Sequence, residues 1–340
     1  MEEASPPSAF RYHLIRPDAA MAQRGLRVLV GGPEAGPGVP LHGGKAEVQE
    51  RVEGFLAYAN SIHLDLEKQV IAVELAGGVP GMPADAQHLV LGRMVGMCLW
   101  VPAPGKTAML FGPSLSEFPE SAAATQAAIA GALEDARSQG IVLVQAMMEP
   151  ADGAGKTVFA AAGLAQLATL TYMERRPPAM PPASNTYELP SDLRMLPYEA
   201  ATHGLFRQAI VASYEETLDC PAMSGLREID DVIEGHKAVG LFDPQLWGVL
   251  VRWGKPVGCL LLAEIPARRA LELVYLGLAP EVRGQGLGRI LMQRVLAIGS
   301  RRHFEVATLA VDAANTPAVR LYRRCGYTSV AQRVAMIKKF

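Results

Sequence analysis

Leu276-Gly277-Leu278-Ala279-Pro280, then Arg283-Gly284-Gln285-Gly286-Leu287-Gly288, then Arg289-Ile290-Leu291-Met292-Gln293-Arg294-Val295-Leu296 reads as a strand ending at a proline, a glycine-rich loop and a helix. Backbone N–H groups in the first turn of a helix have no partner inside it and carry partial positive charge. Glycine lets an anion reach them with no Cβ in the way, so the loop is expected to hold a pyrophosphate. An ordinary strand-to-helix turn also uses glycine, so the loop gains meaning only from its surroundings. The spacing R-x-x-G-x-G is not the G-x-G-x-x-G of a dinucleotide fold, and no acidic residue ends a following parallel strand about 20 residues on. A second glycine–lysine run, Ala154-Gly155-Lys156-Thr157, is not a nucleotide phosphate loop, because Pro150 stands where that motif has its first glycine.

Outward from the loop, 255–264 reads as a strand, 266–269 as a turn and 271–279 as a strand; 289–299 reads as a helix, 304–311 as a strand, 316–325 as a helix and 328–337 as a last strand. The first half runs in the same order: strand 93–101, turn 102–106, strand 107–112, helix 121–139, strand 141–148, helix 154–163. Details recur, since Val95-Gly96 stands before Cys98 as Val257-Gly258 stands before Cys259, and Phe159 to Gly163 has the spacing of Tyr322 to Gly326. The clustered prolines of 175–185 read as a linker, because proline donates no ladder hydrogen bond and disfavours helix before it. The expected domains are a degenerate unit at 1–176, a Pro-rich linker at 177–192 and a catalytic unit at 193–340.

The second informative segment is Val311-Asp312-Ala313-Ala314-Asn315-Thr316-Pro317-Ala318-Val319-Arg320-Leu321-Tyr322-Arg323-Arg324-Cys325-Gly326-Tyr327. Asn315 suits a helix N-cap, Pro317 the first turn and Gly326 the position after the end. Tyr322 is left unexplained by helix construction. The loop and this segment, in this order, resemble the GNAT superfamily of acetyltransferases, over about 193–340. The resemblance implies an α+β fold of two GNAT-like units, each a mixed, splayed sheet flanked by helices, with acetyl-CoA lying in the split. It also implies that Leu276, Gly277 and Leu278 meet the pantetheine arm, that Arg283 to Arg289 cradle the pyrophosphate, and that Asn315 and Tyr322 flank the thioester. The tandem arrangement, and the strand Glu272 to Pro280, are similar to those of mycothiol synthase, where the corresponding glutamate is the base.

The reaction needs an amine to lose a proton, an oxyanion to form and a thiolate to leave. Strand alternation puts Glu272, Val274, Leu276 and Leu278 on one face, so Glu272 is the expected base. The Leu278 N–H is the expected oxyanion donor, and the Tyr322 phenol the expected acid toward the thiolate. An acceptor segment with Tyr214, Glu215, Glu216 and Asp219 has three carboxylates by one aromatic, suited to a cationic amine, although a solvated helix end reads the same way. In the first half the corresponding loop, 114–124, lacks arginine and glycine and holds Glu117 and Glu120, while Phe159 replaces Tyr322. That half is expected to be inactive.

Composition agrees with a small-molecule enzyme: 340 residues suit two domains, half are apolar, 19% are charged and the net charge is −2. A basic surface for nucleic acid is not expected, nor a membrane partner or metal, and the acidic opening without a signal pattern points to the cytoplasm. Cys98, Cys220, Cys259 and Cys325 lack ligand spacing and read mainly as buried thiols. A CoA-binding regulatory module and a peptide N-terminal acetyltransferase remain as alternatives. The acceptor, acyl length and oligomeric state stay open.

Overall fold

The computed structural model describes residues 11–15, 53, 64–76, 94–112, 121–183 and 187–340. In the first of two compact units, β1 (Arg11–Ile15), β2 (Val70–Ala76), β3 (Met94–Ala103), β4 (Thr107–Phe111) and β5 (Leu143–Met148) follow one another across a sheet. Helix α1 (Ser121–Ser138) buries Ala124, Ala128, Ala132 and Ala136, a four-residue repeat that makes one narrow apolar stripe. Small residues let it lie close: a Cβ on Gly96 of β3 would come within 2.6 Å of the Ala124 carbonyl carbon. In α2 (Gly153–Ala161), Asp152 caps the Gly155 N–H at 2.7 Å, Lys156 Nζ donates to the Pro150 carbonyl, and Thr157 Oγ1 donates to the Gly153 carbonyl. The glycine–lysine run is thus an ordinary capped helix start. Phe159 is buried, close against Gly112, while 113–120, with Glu117 and Glu120 of the expected degenerate loop, lie outside the described residues.

The second unit is built from β6 (Ala165–Arg175), β7 (Leu193–Pro197), α3 (His203–Tyr214), α4 (Ile229–Lys237), β8 (Trp247–Arg252), β9 (Lys255–Ile265), β10 (Ala270–Leu278), α5 (Leu287–Arg301), β11 (Val306–Asp312), α6 (Thr316–Arg324) and β12 (Thr328–Lys339). Its sheet order is β12-β6-β11-β10-β9-β8-β7. Only the β10–β11 pair among the described registers is parallel; β6–β11, β10–β9, β8–β9 and β7–β8 are antiparallel. Strand β9 is buried along 256–263, as a central strand covered on both faces must be. Helix α3 packs on β9 and β10, and α5 on β10 and β11. Phe206, Ile210, Trp247, Leu260, Leu262, Leu291 and Val295 share one core, each full burial contributing about 2 kcal/mol.

The units are not cut at the proline cluster. One holds Ala108–Ala165 and Met336–Phe340 with the described part of Met1–Pro102, and the other holds Ala103–Thr107 and Gln166–Ala335. The cause is hydrogen bonding: β6 precedes the prolines but pairs with β11, from Ala307↔Arg175 to Asp312↔Leu170. The end of β12 belongs to the first unit, where Phe340 N–H donates to the Val142 carbonyl at 3.0 Å. All four cysteines are free, and only Cys220 is not fully buried. No helix among the described residues is long and apolar enough to cross a membrane.

Candidate active site

The parallel pairing of β10 with β11 runs from Ala270↔Val306 to Leu273↔Leu309 and stops there, so the strands part. At the same point β10 bulges against β9, where Leu273 faces Leu262 but Tyr275 faces Leu261. The extra residue shifts the alternation. Glu272, Tyr275 and Gly277 share one face, and Leu273, Leu276 and Leu278 the other, which corrects the expected face of Glu272, Val274, Leu276 and Leu278.

The backbone of β10 still serves the split. Ala279 N–H donates to Val257 on β9 at 2.8 Å, so by strand alternation the N–H groups of Leu278 and Leu276 turn away from β9, toward the gap. Gly277 carries its carbonyl toward β9, close to Gly258, and a Cβ at Gly277 would lie 2.5 Å from Ser213 Oγ. Its value is the missing side chain, which lets α3 approach the strand.

Beyond Pro280 the loop takes left-handed backbone at Gly284 (φ 73°) and Gly286 (φ 81°). Both Cβ directions are open space. Among the described residues, no protein acceptor takes the backbone N–H of Gly284, Gln285, Gly286, Leu287 or Gly288; bonding resumes with Arg289 N–H to the Gly286 carbonyl at 3.0 Å. Five successive free donors at the start of α5 form an anion nest. The Arg283 side chain is occupied elsewhere: Nε donates to the Leu278 carbonyl at 2.9 Å, Nη1 to Glu216 at 3.2 Å, and Nη2 to Ser213 at 3.0 Å and Glu215 at 2.7 Å. Gln285 Nε2 donates to the Glu281 carbonyl and its Oε1 accepts from Arg252. Arg289 is exposed.

On the α3 face, Thr308 Oγ1 donates to Glu272 Oε2. Burial raises the Glu272 carboxyl above its ordinary value, against the opposing pull of the Thr308 bond and the Arg268 charge. Ala310 is exposed although β11 is internal to the sheet, so this face is open beside Tyr172, its partner on β6.

Tyr322 lies buried on α6, its phenol held above the ordinary value by burial and then by the charge of Asp219. Asn315 caps α6 by accepting the Ala318 N–H at 3.3 Å. Of the acceptor segment, Glu215, Glu216 and Asp219 are exposed residues; the first two engage through their carbonyls, the Asp219 carboxyl turns inward to accept the Asp312 N–H at 3.0 Å, and Tyr214 is half-buried near Arg227.

His236, a residue without suggestive spacing in the sequence, stacks on Tyr275 with ring centroids 5.3 Å apart. Ser213 Oγ donates to the Ile210 carbonyl, so in its 2.7 Å bond to Tyr275 the tyrosine hydroxyl is the donor. Burial and the neighbouring Arg227 push the imidazole down to about 4, so it is neutral in neutral solution. The ring stack joins α4 to the bulged strand. Sequence spacing held no signal for it, because the two rings meet only through the fold.

Residues 212–327 match the Acetyltransferase (GNAT) family. A mycothiol acetyltransferase of Streptomyces griseus is 33% identical over 109 residues, 32% of this chain and 35% of that protein. The mycothiol acetyltransferase of Thermobispora bispora is 47% identical over 57 residues, 17% of this chain and 19% of that protein. The matches thus span about a third or less of these relatives' length. A GCN5-related N-acetyltransferase from Sphaerobacter thermophilus superposes with a TM-score of 0.57 at 19% identity, covering 96% of this chain and 95% of that one, a likeness of fold.

Proposed function

From the match of residues 212–327 to the acetyltransferase (GNAT) family, we propose that this chain moves an acetyl group from acetyl-CoA to the amine of a small molecule by direct attack in a ternary complex. The observation that carries the reading is the parting of β10 and β11 after Leu273–Leu309, with Glu272 at its closed end and five unpaired N–H groups beyond its open end. In this reading the N–H groups of Gly284 to Gly288 hold the pyrophosphate, with Arg289 beside them, while Arg283 braces the loop against α3. Leu276 and Leu278 turn their N–H groups to the thioester arm along the gap, and Gly277 keeps the approach of α3 open.

Glu272 takes the proton of the acceptor amine, and burial makes it a stronger base than an exposed glutamate. The Leu278 N–H meets the negative charge that develops on the carbonyl oxygen as the nitrogen attacks. Tyr322 gives its phenolic proton to the departing sulfur; its raised pKa keeps that proton in place until then. Asn315 holds the start of α6 and with it the position of Tyr322. The mycothiol acetyltransferase relatives support a small-molecule acceptor.

The test is thiol release from acetyl-CoA by the whole chain with a panel of primary amines and short peptides. Turnover with small amines supports the proposal. Binding of acetyl-CoA without turnover would indicate a regulatory module, and turnover confined to peptides a peptide N-terminal acetyltransferase.

A further inference from the structure

Strand β6 precedes the proline cluster in sequence yet brings its side chains to the face that holds Glu272. The registers fix a row across three strands: Glu272 on β10 is beside Thr308 on β11, and Thr308 is opposite Glu174 on β6. Strands lie about 4.8 Å apart, so the two carboxylates stand on one face with roughly 10 Å between their backbones. One cation serves both. Arg268, from the turn between β9 and β10, places Nη2 3.3 Å from Glu174 Oε2 and is close enough to Glu272 to act on its charge. It is bonded to Glu174, and Glu272 has the hydroxyl of Thr308 instead.

We propose that Glu174 is a positioning residue for the acetyl transfer: it holds Arg268 off Glu272 and so leaves the Glu272 carboxylate free to take the proton of the acceptor amine. The inference rests on the reading of Glu272 as the base. Among the described residues, Glu272 also acts on the phenols of Tyr172 on β6 and Tyr327, just before β12, and Arg333 of β12 acts in turn on Tyr172. Burial raises both phenols, which therefore stay neutral in the working range. The cation that acts on Glu272 is then Arg268, and Glu174 is the carboxylate that holds it. Without Glu174 the guanidinium is released toward Glu272, which lowers the proton affinity of Glu272.

The decisive measurement is a 13C NMR titration of carboxyl-labelled glutamate in the whole chain, with the Glu272 signal assigned by its absence in Glu272→Gln. Glu174→Gln is expected to move the Glu272 midpoint down by about one pH unit, and Arg268→Gln to move it up. The double variant should return near the starting value. The acid limb of kcat/KM, followed by thiol release with glucosamine as the probe amine, should move the same way, since it reports the free-enzyme base. The Arg268–Glu174 pair lies at the surface, with Arg268 exposed and Glu174 partly so, and contributes little to folding, so the single variants should stay folded. An unmoved or raised midpoint in Glu174→Gln, or an unmoved one in Arg268→Gln, overturns the proposal. Should Glu272→Gln turn over normally, the base assignment fails, whereas the titration still decides whether Glu174 governs Arg268.

Discussion

Asp219 and Asp312 hold each other's backbone: Asp219 Oδ1 accepts the Asp312 N–H at 3.0 Å, and Asp312 Oδ2 accepts the N–H of Cys220, next to Asp219, at 3.2 Å. This exchange pins the segment after α3 to the end of β11, beside Asn315 and Tyr322. Burial raises the Asp219 carboxyl, more than the Asp312 N–H lowers it. An acid whose folded value lies above its unfolded one favours the fold at low pH and loses that contribution as pH rises through the folded value. Asp219→Asn keeps an acceptor oxygen and has no charge to bury. Its melting temperature relative to the wild type is therefore expected to improve between pH 4 and pH 7, and a constant difference over that range would contradict the assignment.

Arg283 and Gly286 separate bracing from binding. Arg283→Lys keeps a charge but loses the planar fork that meets four carbonyls, and hydrogen bonds from a charged group are worth about 1.5–3 kcal/mol each. A stability loss of about 2–4 kcal/mol is expected in denaturant titration, with CoA affinity by calorimetry falling less than tenfold. Gly286→Ala should do the reverse. Its φ of 81° costs alanine only about 1 kcal/mol, but the new Cβ occupies the open side of the nest, and CoA affinity should fall tenfold or more.

Much of this site is legible in the chain. The glycine spacing of 283–288 and the capped start of α6 are local chemistry, so loop, helices and flanking strands fall close to where periodicity places them. The bulge at Leu273/Tyr275 is not local: it exists only against β9, and one extra residue reverses which side chains accompany Glu272. For the same reason the sequence reading assigns no element to 165–175. Its Leu167, Thr169, Thr171 and Met173 fit a strand, but the proline cluster that follows marks a boundary in sequence, whereas the partner β11 lies far along the chain. Arg283 illustrates a third gap. An arginine ahead of glycines reads as a phosphate ligand, and only the return of α3 supplies the carbonyls that occupy it.

Tyr322→Phe removes one proton donor while keeping the packed ring. If the phenol protonates the departing thiolate, kcat should fall about a hundredfold with CoA affinity unchanged. Because burial holds the Tyr322 phenol above its ordinary value, its deprotonation should add no alkaline decline to the wild-type kcat profile below pH 10. A decline that disappears in Tyr322→Phe would place the phenol in a more open setting than the structure gives it.

His236 offers a pH test independent of turnover. The ring stacked on Tyr275 has its value pushed from 6.5 to about 4, so folding favours the neutral form. For a base with a depressed folded value, the stabilisation is complete above 6.5, declines as pH falls below it, and is gone once the folded value is passed. A drop of that size corresponds to about 3 kcal/mol, a large part of the stability of an ordinary domain. His236→Phe keeps an aromatic face for Tyr275 and cannot be protonated. Unfolding free energies of the two proteins should therefore be similar at pH 7.5 and diverge by up to about 3 kcal/mol toward pH 4, with the variant the more stable. Parallel curves across that range would mean that the imidazole titrates alike in the folded and unfolded chain, and that the stack does not exclude water from it.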